Sequence, residues 1–131
     1  MAKYVYPAIF TKEDNGQYSI VFPDFQSCYT CGDDLQDGFE MASDVLCLTL
    51  YELEEGKLDI PVPSNPKSIT VNDDSFVSLV ICDTLEYRKM YDNKAVKKTL
   101  TIPSWLNIQA EKANAPFSQI LQEGLKEYLH V

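Results

Sequence analysis

The sequence is short of positive charge, of histidine and of long apolar runs. Against 20 Asp and Glu it carries 11 Lys and Arg, for a formal net charge of −9 over 131 residues. An acidic surface repels nucleic acid and favours a basic protein; the plainer alternative is a merely solvated surface. No apolar stretch approaches the roughly 18 residues that a membrane span needs. Met1-Ala2-Lys3-Tyr4 lacks the apolar core of a signal peptide, so a cytoplasmic location is expected. Four cysteines are too few for a disulfide scaffold. Cys28-x-x-Cys31 suggests zinc or a redox pair, but zinc needs a second ligand pair at comparable spacing. Cys47 and Cys82 stand alone and the single histidine, His130, lies next to the end. The thiols therefore read as small, half-buried apolar residues, and neither metal nor cofactor is expected.

What is present is ordinary globular composition, 45% apolar and 24% charged. One domain is the default at this length, and two small ones are possible. The charge is uneven. Met1 to Asp92 holds six basic and seventeen acidic residues, a net of −11, whereas the rest holds five lysines and three glutamates, a net of +2. Such asymmetry points to different partners for the two parts.

The acidic part reads as α+β. Tyr4, Tyr6, Ala8 and Phe10 alternate on one face of a strand, and Asn15-Gly16 signals a hairpin. Tyr18, Ile20 and Phe22 form a second strand, broken by Pro23-Asp24, and Ser27 to Cys31 a short third. A helix follows, with Asp33 as cap and Gln36 as capping-box partner. Leu35, Phe39, Ala42, Leu46, Thr49 and Leu53 make its apolar stripe, and Gly56 ends it. Glu52, Glu54 and Glu55 crowd its last turn, where the helix dipole disfavours anions. Pro61, Pro63 and Pro66 mark a loop, and Ile69 to Val71 reads as a short extended piece. Phe76 to Cys82 is apolar on both faces, which suits a central or well-covered strand. Residues 1–83 thus form a small antiparallel sheet with one main helix, and 84–93 a linker or short helix.

Residues 94–131 have a different grammar. Val96, Leu100 and Ile102 alternate with Lys97, Thr99 and Thr101 in a strand that Pro103 ends. Two short helices follow across the turn Asn114-Ala115-Pro116, the first capped by Pro103 or Ser104, the second begun or capped by Ser118. The second has a stripe of Leu121, Leu125 and Tyr128, flanked by Ile120 and Leu129. The strand has no hairpin partner, and so small a unit cannot bury a sufficient core alone. Pairing with the same strand of a second chain solves both problems, giving a two-stranded ribbon on a four-helix dimer. Adding to the N-terminal sheet is the alternative.

Such a ribbon fits the DNA major groove and would present Lys97, Thr99 and Thr101 to base edges. Phe117 and Ser118, at the start of the second helix, offer backbone amides to a phosphate, and Lys94 and Lys98 add backbone contacts. The other possibility is a dimerisation ribbon that touches nothing, since +2 is weak for a DNA binder.

Two stretches carry a resemblance. Lys97-Lys98-Thr99-Leu100-Thr101-Ile102-Pro103, followed by Phe117 to Leu125, is similar to a ribbon-helix-helix repressor domain. Tyr6 to Phe10, Gly16 to Asp24 and Cys28 to Asp33 resemble the HicB antitoxin family. The resemblance implies a degenerate ribonuclease-H-like N-terminal domain that binds a small basic, mRNA-cleaving toxin of HicA type. It also implies a C-terminal domain that binds the operon's own promoter and represses it; pairing of the N-terminal sheets would turn a C-terminal dimer into a tetramer. Ser27 stands where the family often has glycine. Gly38 stands where alanine is usual, at about 1 kcal/mol of helix propensity. Two rival readings remain. In a nuclease, Asp24, Asp33, Asp34 and Asp37 would hold magnesium, although capping and turn roles suit them better. In a free-standing repressor, the acidic domain would oligomerise or sense a ligand.

Overall fold

The computed structural model describes residues 3–92 and 94–131. The expectations resting on Met1, Ala2 and Asn93 (the missing signal peptide and the end of the linker) lie outside the described residues. The chain divides into two units, Met1–Lys94 and Ala95–Val131.

In the first unit β1 (Lys3–Lys12), β2 (Tyr18–Val21) and β3 (Tyr29–Gly32) form the expected antiparallel meander. The β1–β2 turn is closed by Gly16 N–H to Glu13 O at 3.0 Å and Glu13 N–H to Gln17 O at 2.8 Å. Gly16 alone in this turn takes a positive φ, +85°, so the hairpin bends through a left-handed glycine rather than a two-residue mirror-image turn. Because β2 covers only Ile9 to Lys12, most of β1 needs another partner. β4 (Ser75–Asp83) supplies it, pairing from Lys3↔Asp83 to Thr11↔Ser75, so the sheet order is β3-β2-β1-β4.

The expectation of a central or well-covered β4 is corrected: it is an edge strand. One face is packed, with Val80 and Cys82 buried, but Leu79 and Ile81 on the other face are 52% and 67% exposed. Apolar content on both faces shows that two surfaces avoid water, not which neighbour covers each.

The single long helix, α1 (Leu35–Glu55), lies across the inner face of the sheet. Its core contribution is Ala42, Leu46, Cys47 and Leu50, against Tyr6, Ala8, Phe10, Ile20 and Phe22. Of the predicted stripe, Leu35 is exposed, and Leu50 was missed. The cap is also shifted by one residue. Asp34, not Asp33, is the N-cap, accepting from Asp37 N–H at 2.8 Å, and Asp37 reciprocates by accepting from Asp33 N–H at 2.8 Å. The reciprocal pair is thus Asp34 and Asp37 rather than Asp33 and Gln36. Gly38 sits where β3 meets this first turn: a Cβ on Gly32 would overlap the Gly38 backbone. Close approach of strand and helix explains the glycine at Gly32, whereas a Cβ on Gly38 would come nearest to the end of the Ile20 side chain, at 3.3 Å.

Gly56 is the C-cap, but in right-handed conformation; Lys57 takes the left-handed position at φ +53°. Leu58 N–H to Leu53 O at 2.9 Å and Lys57 N–H to Glu54 O at 3.1 Å complete a Schellman closure. The proline-rich segment is tied down by Tyr6 Oη, which donates to Pro61 O. It contains a 3-10 turn at Pro66–Ser68, and the extended piece expected at Ile69 to Val71 is not a strand. Residues 84–91, read as linker or short helix, form α2 (Thr84–Tyr91), which packs on α1.

The second unit holds α3 (Ser104–Lys112) and α4 (Phe117–Leu129), joined by the expected turn, where Asn114 is left-handed at φ +53°. Neither Ser104 nor Ser118 caps: the N-cap positions are Pro103 and Pro116, and no side chain caps either helix. The strand expected over Val96 to Ile102 is not formed in the single chain. A strand needs a ladder, and the sheet of the first unit takes no part of this segment. No residue of α3 or α4 is buried.

Candidate functional site

Two sets of residues concentrate chemistry, one in each unit. In the second unit, Lys97, Lys98, Thr99 and Thr101 lie in the irregular segment before α3, all exposed. None of the ion pairs among the described residues engages either lysine. Lys94 is also exposed and closes the first unit, its N–H donating to Asp92 Oδ1 at 3.3 Å. Phe117 and Ser118 open α4, where the missing side-chain cap leaves their amide groups directed out of the helix end. The same segment displays Leu100 and Ile102, α3 displays Trp105, 67% exposed, and α4 displays Leu121 and Leu125. Polar, DNA-compatible groups and a large uncovered apolar surface therefore share this unit.

In the first unit, two of the three acids that the sequence left unexplained at the end of α1, Glu54 and Glu55, prove to be anchors for α2. Glu54 Oε2 accepts from Tyr4 Oη at 2.7 Å and from Thr84 Oγ1 at 3.0 Å. Glu54 Oε1 accepts from Arg88 Nη2 at 3.0 Å, and Glu55 pairs with Arg88 Nη1. Burial pushes the Glu54 carboxyl up, but the hydrogen bonds from Tyr4, Arg88 and Thr84 outweigh it and hold the group below the usual carboxylate range. Burial, followed by the bond to Glu54, pushes the Tyr4 phenol up to about 12. Arg88, the chain's single arginine, also lies over the Tyr51 ring at 4.6 Å. The unfavourable helix-end placement is thus offset by one shared cation and two hydroxyls from other elements. Only the tertiary fold brings these partners together, so sequence spacing carried no signal of them.

The aspartates considered as metal ligands are employed locally. Asp24 accepts from Ser64 N–H at 3.0 Å and from the Ser64 hydroxyl, fastening the β2–β3 turn to the proline-rich loop. Asp33 accepts from Gln17 Nε2 at 3.1 Å, and Asp34 and Asp37 form the helix cap. Among the described residues, no three His, Cys, Asp or Glu side chains are grouped to hold a metal ion.

The cysteines divide similarly. Cys28 is buried and accepts from Thr49 Oγ1 at 3.4 Å, whereas Cys31 is exposed on β3. Cys47 and Cys82 are buried together; their mutual hydrogen bond, then burial, pushes the Cys82 thiol well above its ordinary range. All four are free thiols. Among the described residues, no helix is long and apolar enough to cross a membrane.

A toxin–antitoxin complex from Streptococcus pneumoniae contains a chain 28% identical, matched over 96% of this chain and 99% of its own, with a TM-score of 0.63. The antitoxin HicB of Burkholderia pseudomallei is 17% identical over 99% of this chain and 98% of its own, with a TM-score of 0.54. An antitoxin HicB3 crystal structure is 23% identical over 95% of this chain and 97% of its own, with a TM-score of 0.53. At those identities the last two speak for the fold alone. A search of the curated proteins finds no match. The family model for HicB-like antitoxins of bacterial toxin–antitoxin systems matches residues 5–87, spanning β1 through most of α2. On that match the chain belongs to the HicB-like antitoxin family of bacterial toxin–antitoxin systems.

Proposed function

We propose that this chain is the antitoxin of a type II pair that does its work by binding, with one task assigned to each unit. The acidic first unit, a degenerate ribonuclease-H-like layer, takes a small basic, mRNA-cleaving toxin of HicA type and blocks it. Its net of −11 over Met1 to Asp92 provides the attraction. Catalysis is not required of it, because Asp24, Asp33, Asp34 and Asp37 serve as loop and cap residues.

The second unit is a ribbon-helix-helix that dimerises and reads the operator of its own promoter. The observation that carries this is the absence of any buried residue in α3 and α4 beside exposed Leu100, Ile102, Trp105, Leu121 and Leu125. An apolar stripe without a core needs a second surface, and a second copy supplies an identical stripe plus the missing strand. In the resulting ribbon Lys97, Thr99 and Thr101 face the bases. Lys94, Lys98 and the amides of Phe117 and Ser118 meet the phosphates. The match to a chain of a toxin–antitoxin complex from Streptococcus pneumoniae supports the partner assignment.

Three measurements on the full chain test the proposal. Sedimentation at micromolar concentration should show a dimer or a dimer of dimers, and band shifts should show binding to DNA upstream of its own gene in preference to random DNA. Co-expression with a HicA-type toxin should restore growth and give a complex. A monomer without DNA binding overturns the ribbon, and a folded chain that leaves the toxin free overturns the antitoxin assignment.

A further inference from the structure

The outward face of α1 is chemically one-sided. Over 21 residues the helix has six acids and no Lys or Arg. Glu54 and Glu55 are matched by Arg88, and Asp37 serves the cap. Glu40, Asp44 and Glu52 enter none of the ion pairs among the described residues. Glu40 and Asp44 are one helical turn apart, where like charges destabilise the helix. Their placement is therefore not explained by the stability of α1.

One of these acids, Asp44, lines a largely apolar groove together with Met41, Val45 and Leu48 of α1, Thr30 of β3, and Tyr87 and Tyr91 of α2. Its volume is about 340 Å³, room for a large side chain. Leu48 is 42% exposed and Tyr91 63%. Tyr87 lies between Tyr51 and Tyr91 at ring-centroid distances of 5.6 and 4.7 Å, its ring tilted to both. Burial, then Tyr91, Cys47, Asp44 and Glu52, raise the Tyr87 phenol, so the field of the rim acids reaches into the groove. Tyrosine and methionine at a part-exposed apolar depression are what recognition surfaces are enriched in.

We propose that this groove, lined by Met41, Asp44, Val45, Leu48, Tyr87 and Tyr91, is the docking site for a basic amphipathic protein segment. One bulky apolar side chain enters the groove, and flanking Lys or Arg residues meet Glu40, Asp44 and Glu52. Charge complementarity selects this occupant: an unneutralised acidic rim disfavours nucleic acid and anionic lipid, and it disfavours a second acidic copy of the same helix. The outer sheet face around Val5, Leu79 and Ile81 is a rival apolar surface. It lacks acids among these residues and so does not discriminate by charge. That the segment belongs to the toxin rests on the antitoxin assignment above; the chemistry of the groove does not.

The test uses the full chain with two probes. The first is a synthetic helical peptide with a Leu face flanked by Lys and Arg, set against the same peptide with Glu at the flanks. The second is a HicA-type toxin. Leu48→Lys and Asp44→Lys alter part-exposed or exposed residues, so both variants should fold; circular dichroism checks this, and Met41→Lys is the reserve. The wild type should bind the basic peptide and not the acidic one. Each variant should weaken both the peptide and the toxin by roughly tenfold, as loss of a central contact does. Equal binding by folded variants, or cross-links from the peptide to Val5, Leu79 or Ile81, overturns the groove. A wild type that binds peptide through the groove but ignores the toxin keeps this proposal and removes the antitoxin assignment. Toxin and peptide binding that are both indifferent to the two variants do the reverse.

Discussion

The two units solve the problem of burying apolar surface in opposite ways. The first closes a core within one chain: α1 lies across one face of a four-stranded sheet, and Tyr6, Phe10, Ile20, Leu46 and Leu50 are shielded from water. The second has strong helical patterning in α4 but buries nothing, because two short helices present their stripes to no third element. Amphipathicity describes what a segment needs, whereas a core requires enough segments in one place. On the proposed reading, the second unit is half of a structure that a second copy completes.

Mutation should separate the units cleanly. The largest effect is expected from Leu100→Asp, which puts a charge in the proposed ribbon. The dimer should be lost in sedimentation, while the first unit keeps its cooperative melt. An unchanged dimer would mean that the second unit is completed by some other surface. Leu46→Ala does the converse. It leaves a cavity beneath α1 and should cost about 2–5 kcal/mol in denaturant unfolding, independent of protein concentration. If the cost instead varied with concentration, the first unit would not be self-contained.

Thr99→Ala sharpens the comparison without unfolding either unit. Discrimination between operator and random DNA should fall by about 1–3 kcal/mol if the hydroxyl meets a base. Equal loss on both DNAs would make Thr99 a backbone contact.

The smallest effect concerns the Glu54 anchor and depends on pH. Tyr4 has a raised value in the folded state, so its contribution is complete below about 10, the unfolded value, and is lost as pH rises to about 12. Glu54 is lowered in the folded state, so its contribution is present above the ordinary carboxylate range and is lost as pH falls through the folded value. Melting curves of Tyr4→Phe and the wild type should therefore converge at the alkaline end, and those of Glu54→Gln and the wild type at the acid end. Parallel curves would mean that the hydrogen bond between Tyr4 and Glu54 does not form.

Much of the first unit was legible because its signals are local. The alternation in β1 predicts the buried Tyr6, Ala8 and Phe10, and Gly16 marks the hairpin. Errors of one residue at the α1 cap arose because Asp33, Asp34 and Asp37 are chemically equivalent in sequence; their backbone geometry distinguishes them. β4 was misplaced because its apolar faces do not reveal which neighbours exist.

By itself, then, the sequence determined the elements and the charge division: hydrophobic period, turn residues and the count of acids are properties of contiguous chain. It also carries the alternation over Val96 to Ile102 on which the proposed ribbon rests, although the single chain forms no strand there. Tertiary structure alone decided that β4 joins β1 at the sheet edge, that Arg88 answers Glu54 and Glu55 across 33 or 34 residues of chain, and that α1, α2 and β3 enclose a groove. Those are contacts between distant residues, set by how the faces pack together. Local propensity records that a face is apolar or charged, and packing supplies the neighbour that meets it.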